Sequence, residues 1–148
     1  FKALAGEWSG AGLDGNSMPD TNVSYTITAG GNAVEELLFA GTSHEMRTLY
    51  VRDGDDVVLV HFCASGNHPK MRARDVGDGR VVFDFDGAIN FDPAKAGHMH
   101  DASFTFQSPN ELSTRWQFWD GGKPSEHVAS LHLKRVAIEP MELVDPPR

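Results

Sequence analysis

Hydrophobic and polar positions alternate along most of this chain in runs of five to ten residues, and helical spacing is nearly absent. The runs are rich in Val, Thr, Phe, Tyr and Trp and end at Gly, Asp, Asn or Pro, which predicts strands. The first five expected strands cover Gly6–Ala11, Asn22–Ala29, Ala33–Ala40, Glu45–Arg52 and Asp56–Cys63. The next five cover Lys70–Val76, Arg80–Phe85, His98–Gln107, Glu111–Trp119 and Glu126–Val136. Between them lie hairpin-sized breaks such as Gly30-Gly31-Asn32, Asp53-Gly54-Asp55, Gly77-Asp78-Gly79, Ser108-Pro109-Asn110 and Asp120-Gly121-Gly122. Short breaks join neighbouring antiparallel strands. Ten strands in such a meander would expose two long edges unless the sheet closed on itself. The expected fold is therefore all-β, a ten-stranded antiparallel up-and-down barrel with little helix. Residues 1–136 form that single domain, Phe1–Ala5 end a short helix at one barrel mouth, and 137–148 form an irregular tail with Pro140, Pro146 and Pro147.

Composition narrows the picture without naming a function. With 148 residues, 40% of them hydrophobic, the chain has enough for one core and too little for two ordinary domains. The formal charge of −8, with no basic stripe, argues against nucleic acid and against anionic membranes. No apolar run approaches the length of a membrane-spanning helix. A soluble protein of the cytoplasm or the periplasm is expected, and the start at Phe1 is compatible with a trimmed leader. Cys63 is the one cysteine, so no disulfide can form within the chain.

The candidate chemistry lies in side chains that share strand faces. Residues i and i+2 of a strand point the same way, so His61 pairs with Cys63 and His98 pairs with His100. Imidazole and thiolate are preferred ligands of zinc and related metals. His61, Cys63, His98 and His100 are therefore the candidate metal set, should both pairs face one cavity. Met46, Thr48 and Tyr50 share a face in the same manner, against Arg47, Leu49 and Val51 on the other. The loop Ala64–Pro69 would bring His68 to a barrel mouth, and Asn90 and Arg115 lie in or beside strong strand patterns. Met46, Tyr50, His61, Cys63, His68, Asn90, His98, His100 and Trp116 are thus the expected ligand-binding residues. Trp116 and Trp119 lie three apart and so on opposite faces, while Asp84 and Asp86 oppose Phe83 and Phe85 and should face solvent. There is no Gly-x-Ser-x-Gly elbow to support a serine nucleophile.

At Gly6-Glu7-Trp8-Ser9-Gly10 the chain resembles the Gly-x-Trp-x-Gly opening of the calycin superfamily, which includes lipocalins, fatty-acid-binding proteins and nitrobindins. The stretch Leu49–Arg74, with His61-Phe62-Cys63-Ala64-Ser65-Gly66-Asn67-His68-Pro69, together with Asn90 and His98-Met99-His100, resembles a family of bacterial lipocalin-like domains of unknown function. The resemblance spans Leu4 to Val136. It implies a ten-stranded barrel with an internal cavity and brings no established reaction. Nitrobindin-like members bind haem through a histidine, and the Tyr-Pro pattern that usually follows their first strand is absent here.

The leading expectation is a barrel that binds a small apolar or amphipathic molecule, its polar end oriented by histidines. Two others use the same cavity: an enzyme, metal-dependent or working by histidine acid–base chemistry, and a haem protein with one of these histidines as axial ligand. The cofactor is left open between zinc, haem and none. The expected partner is a small molecule rather than nucleic acid or membrane, with a homodimer left open.

Overall fold

Alternation becomes ten antiparallel strands in the computed structural model, which describes residues 1–12 and 20–137. In chain order they are β1 (Gly6–Gly12), β2 (Thr21–Thr28), β3 (Ala33–Leu38), β4 (Met46–Asp53) and β5 (Asp56–Phe62). The second half comprises β6 (His68–Gly77), β7 (Arg80–Ile89), β8 (His98–Ser108), β9 (Glu111–Asp120) and β10 (Lys123–Arg135). Each pairs with its neighbour in sequence, and β10 returns to pair with β1, so the barrel closes in up-and-down order. Among the described residues helix is confined to two 3-10 turns, Lys2–Leu4 and Ala29–Gly31, and no helix is long and apolar enough to cross a membrane. The tail expected over 137–148 lies, from residue 138 on, outside the described residues.

Turn chemistry sets the register. Asp78 and Gly79 both take positive φ (49° and 72°) between the paired residues Gly77 and Arg80. That conformation matches strand twist and is cheap for an Asp-Gly pair. The seam between β1 and β10 depends on a different glycine. A Cβ at Gly10 would lie 1.8 Å from the carbonyl oxygen of His132, so only glycine lets the closing strands approach.

Two departures from regular alternation decide which side chains reach the interior. Strand β7 runs on past Phe85 to Ile89, further than expected, beside register shifts in β6 at Lys70/Met71 and Ala73/Asp75. In β8 the register with β9 shifts between Met99 and Asp101. Such a bulge inserts one unpaired residue and inverts which face the following residues occupy.

The interior is divided along the barrel axis. Towards the mouth where β4 meets β5, it is filled by aromatic rings. Phe1 stacks on Tyr50 (centroids 4.4 Å apart) and meets Phe83, Phe104 and Phe106 edge-on. The short helix expected at Phe1–Ala5 is thus a single 3-10 turn that carries a ring into the barrel. Trp8 is buried, donates its indole N–H to the Leu4 carbonyl (2.8 Å) and lies under the Arg135 guanidinium (4.4 Å). Beyond the rings a row of buried polar side chains crosses the interior, and apolar residues such as Leu38, Trp116 and Leu131 fill the space beside it.

Candidate functional site

Four inward side chains form one lateral row across β2 to β5. Tyr25 pairs with Glu36, Glu36 with Thr48, and Thr48 with His61. All four are buried. Because laterally paired residues sit close together, the register alone brings these groups within hydrogen-bond reach. Glu36 Oε2 accepts the phenol O–H of Tyr25 (2.7 Å) and that of Tyr50 (2.8 Å), which reaches over from the next row. Glu36 Oε1 accepts the Thr48 hydroxyl at 3.3 Å, and Thr48 Oγ1 lies 2.9 Å from His61 Nδ1. The far nitrogen of the ring, His61 Nε2, is buried and has no partner.

Burial governs the electrostatics of this row. It raises the pKa of Glu36, and the hydroxyls of Tyr25, Tyr50 and Thr48 pull it back by stabilising the carboxylate. The Tyr25 and Tyr50 phenols are held well above their usual range by burial and by the Glu36 charge. Burial, with a smaller push from His68, lowers the pKa of His61 from 6.5 to about 4. His61 is therefore neutral at physiological pH.

This depression has a thermodynamic consequence. As pH falls from 6.5 to about 4 the unfolded chain takes a proton at His61 and the folded protein does not, so stability is lost across that window. Glu36 acts in the opposite sense, because its raised pKa lets the folded form take its proton first. Comparing the protein with a His61→Phe variant isolates the histidine. Urea unfolding between pH 7 and pH 4 is expected to show about 3 kcal/mol more loss in the unsubstituted protein. Parallel profiles for the two proteins would refute the buried neutral imidazole.

His61 borders a pocket of about 50 Å³ at the mouth that carries the β3–β4 and β5–β6 connections. Its other walls are Leu38, Phe39, Met46, Met99, Thr114, Trp116, Ala129 and Leu131. The Trp116 ring lies 5.0 Å from the imidazole. Among the described residues no charged side chain lines this pocket. At the opposite mouth a wider cleft of about 360 Å³ runs between Phe1, Val34, Tyr50 and Val57, with exposed Lys2 and Arg52 at its edge.

Of the residues expected to bind ligand, Met46, His61 and Trp116 meet at the small pocket. Cys63 touches its rim, with Sγ 3.9 Å from the Met46 sulfur and a hydrogen bond from Ser65 (3.1 Å). Tyr50 faces the interior but lies between the Glu36 carboxylate and the opposite cleft. The expected meeting of all four metal-type ligands does not occur. Met99 lines the pocket and pairs with Phe118, so His98, paired with Trp119, points to the other side of the sheet. There His98 Nδ1 bonds to the Ala96 carbonyl (2.8 Å), and its Nε2 lies 2.9 Å from His100 Nδ1. His100 is sandwiched between Trp119 (3.7 Å) and Phe85 (4.6 Å). Among the described residues no group of three or more His, Cys, Asp or Glu is placed to hold a metal ion.

The remaining residues sit further from the pocket. His68 packs against the half-exposed Phe62 ring (5.1 Å). Asn90 is exposed and donates to the Gly66 carbonyl (2.9 Å), fastening the Ala64–Asn67 turn rather than facing a cavity. Arg115 is exposed and bonds to Gln117. Asp84 and Asp86 are on the outer face, as expected, paired with Arg74 and with Lys70 and Arg72 respectively. Trp116 and Trp119 do fall on opposite faces.

Sequence reasoning missed Glu36. Its signal was present: in Val34-Glu35-Glu36-Leu37-Leu38, alternation places Glu36 on the face of Val34 and Leu38. A carboxylate on an apolar face calls for inward hydroxyl partners, and Tyr25, Thr48 and Tyr50 supply them. No protein-family model matches this chain, and no curated protein matches it either.

Proposed function

We propose that this barrel binds a small amphipathic molecule at the His61 mouth, its apolar part against Met46, Met99, Leu131 and Trp116 and its polar end on His61 Nε2. One observation carries the reading. His61, whose Nε2 is buried without a partner, lines a pocket whose other walls are mostly apolar and carry no charge. Leaving such an atom unpaired costs about 1–3 kcal/mol, which a ligand hydrogen bond recovers. Closure in up-and-down order and the Gly6-x-Trp8-x-Gly10 opening support placing it among calycin-like binding barrels. The pocket is small against typical ligand cavities of about 300–1,000 Å³, so it seats the head of a molecule whose chain extends out of the mouth.

The alternatives fit less well. A histidine held near pKa 4 is bare at neutral pH but a poor proton acceptor, whereas an effective general base titrates near the working pH. Among the described residues His61 has no second or third ligand beside it for zinc, and the space next to it does not accept a flat macrocycle.

Methionine-methyl NMR tests the proposal. Octanol is expected to shift the Met46 and Met99 methyl signals in a saturable manner, and His61→Phe to weaken that binding about tenfold. Octanol, decanol and octanoate all leaving both methyls unmoved would refute the site.

A further inference from the structure

The direction of the hydrogen bonds behind His61 decides what kind of head group the pocket accepts. Glu36 receives three O–H groups, from Tyr25, Tyr50 and Thr48. The Thr48 hydroxyl owns one hydrogen, and a carboxylate, which can only accept, is the stronger acceptor beside it, so that hydrogen is assigned to Glu36 Oε1 (3.3 Å). At the 2.9 Å contact with His61, Thr48 Oγ1 can then only accept, so the donor is His61 Nδ1–H. A neutral imidazole has one N–H, and this contact uses it. Nε2 is left as a bare lone pair.

Resting on the binding reading above, we infer that the pocket selects a neutral hydroxyl-bearing head, an aliphatic alcohol, which donates its O–H to His61 Nε2. A carboxylate would meet the same lone pair, and the described residues of the pocket wall offer it only the neutral Trp116 N–H and Thr114 O–H, with no cation. Its full charge would be desolvated with no countercharge beside it. An ether of equal size fits the space but leaves Nε2 unpaired. The thioether walls of Met46 and Met99 and the Leu131 side chain suit an unbranched alkyl chain behind the head. The acceptor state of His61 is set two residues away: Glu36, with no contact to the ligand, positions the proton through Thr48.

That dependence supplies the test. Octanol, heptyl methyl ether and octanoate are titrated against the protein and against Glu36→Gln, read at the Met46 and Met99 methyls. Imidazole nitrogen NMR on the unsubstituted protein reports the tautomer of His61 directly. Octanol is expected to bind about tenfold tighter than the ether or octanoate, with Nε2 resonating as an unprotonated nitrogen. In Glu36→Gln the carboxamide oxygen can keep both tyrosine bonds while its N–H donates to Thr48. Thr48 then donates to His61 Nδ1, the proton moves to Nε2, and the preference for the alcohol is lost or reversed. Octanoate or the ether binding the unsubstituted protein as tightly as octanol, or a protonated Nε2 in it, overturns the hydroxyl selectivity while leaving the binding site standing. Absence of binding by all three removes the site and the inference with it.

Discussion

Glu36→Ala is expected to destabilise the protein by about 3–5 kcal/mol in urea unfolding at pH 7. The substitution leaves three buried hydroxyls, those of Tyr25, Tyr50 and Thr48, without their acceptor. Each unsatisfied group costs about 1–3 kcal/mol. Part of that sum is returned because a desolvated carboxylate is no longer buried, which keeps the net below the simple total. Glu36→Gln keeps the volume and the acceptor for both phenols, and is expected to cost about 1–2 kcal/mol. The contrast matters more than either value. If Glu36→Ala were neutral or stabilising, the carboxylate would be a strained intrusion on the core and not the centre of a satisfied network.

Trp8→Ala is expected to cost a comparable sum of about 3–5 kcal/mol, at the strand that closes the barrel against β10. Trp8 is almost completely buried, and its removal leaves a cavity between β1 and β2 beside Tyr25, whose ring it meets edge-on at 6.5 Å. It also frees the Leu4 carbonyl that anchors the 3-10 turn, and that turn carries the Phe1 ring into the barrel. Arg135, which lies over the indole, bonds to the carbonyls of Ala3, Ala5 and Pro109 and so ties β10 to the N-terminal segment. Trp8→Phe keeps most of the apolar volume and should cost about half as much. Thermal unfolding of the two variants checks the ranking. A loss below about 1 kcal/mol for Trp8→Ala would mean that the seam is held by other contacts.

The architecture was readable because it depends on local signals. Turn residues such as Asp78-Gly79 and Gly121-Gly122 mark hairpins, and period-two runs mark strands, so ten strands and their closure could be inferred from the chain alone. The site was readable only in part, because it depends on register. His98, His100, Ala102 and Phe104 share one face in a regular strand, and Ala102 and Phe104 are indeed core residues. The bulge between Met99 and Asp101 breaks that parity, turns Met99 towards the pocket and leaves both histidines in a separate cluster with Phe85, Phe91 and Trp119, where His98 is buried. Nothing in His98-Met99-His100 announces a bulge, since its cause lies in how β8 meets β9. Asn90 is placed differently from the expectation for a related reason: its positive φ (66°) and its bond to Gly66 belong to a connection between strands rather than to a wall. The Met46, His61 and Trp116 grouping survived because β4, β5 and the pocket-facing part of β9 keep regular alternation there.

The central claim is that a ligand head sits on His61 Nε2 at this mouth. A crystal structure of the protein soaked with octanol tests it most directly. The account predicts an alkyl chain running between Met46 and Met99, with its hydroxyl within hydrogen-bond distance of His61 Nε2. Octanol found instead only in the cleft between Phe1, Tyr50 and Val57, or in the pocket with its hydroxyl turned away from His61, would contradict it.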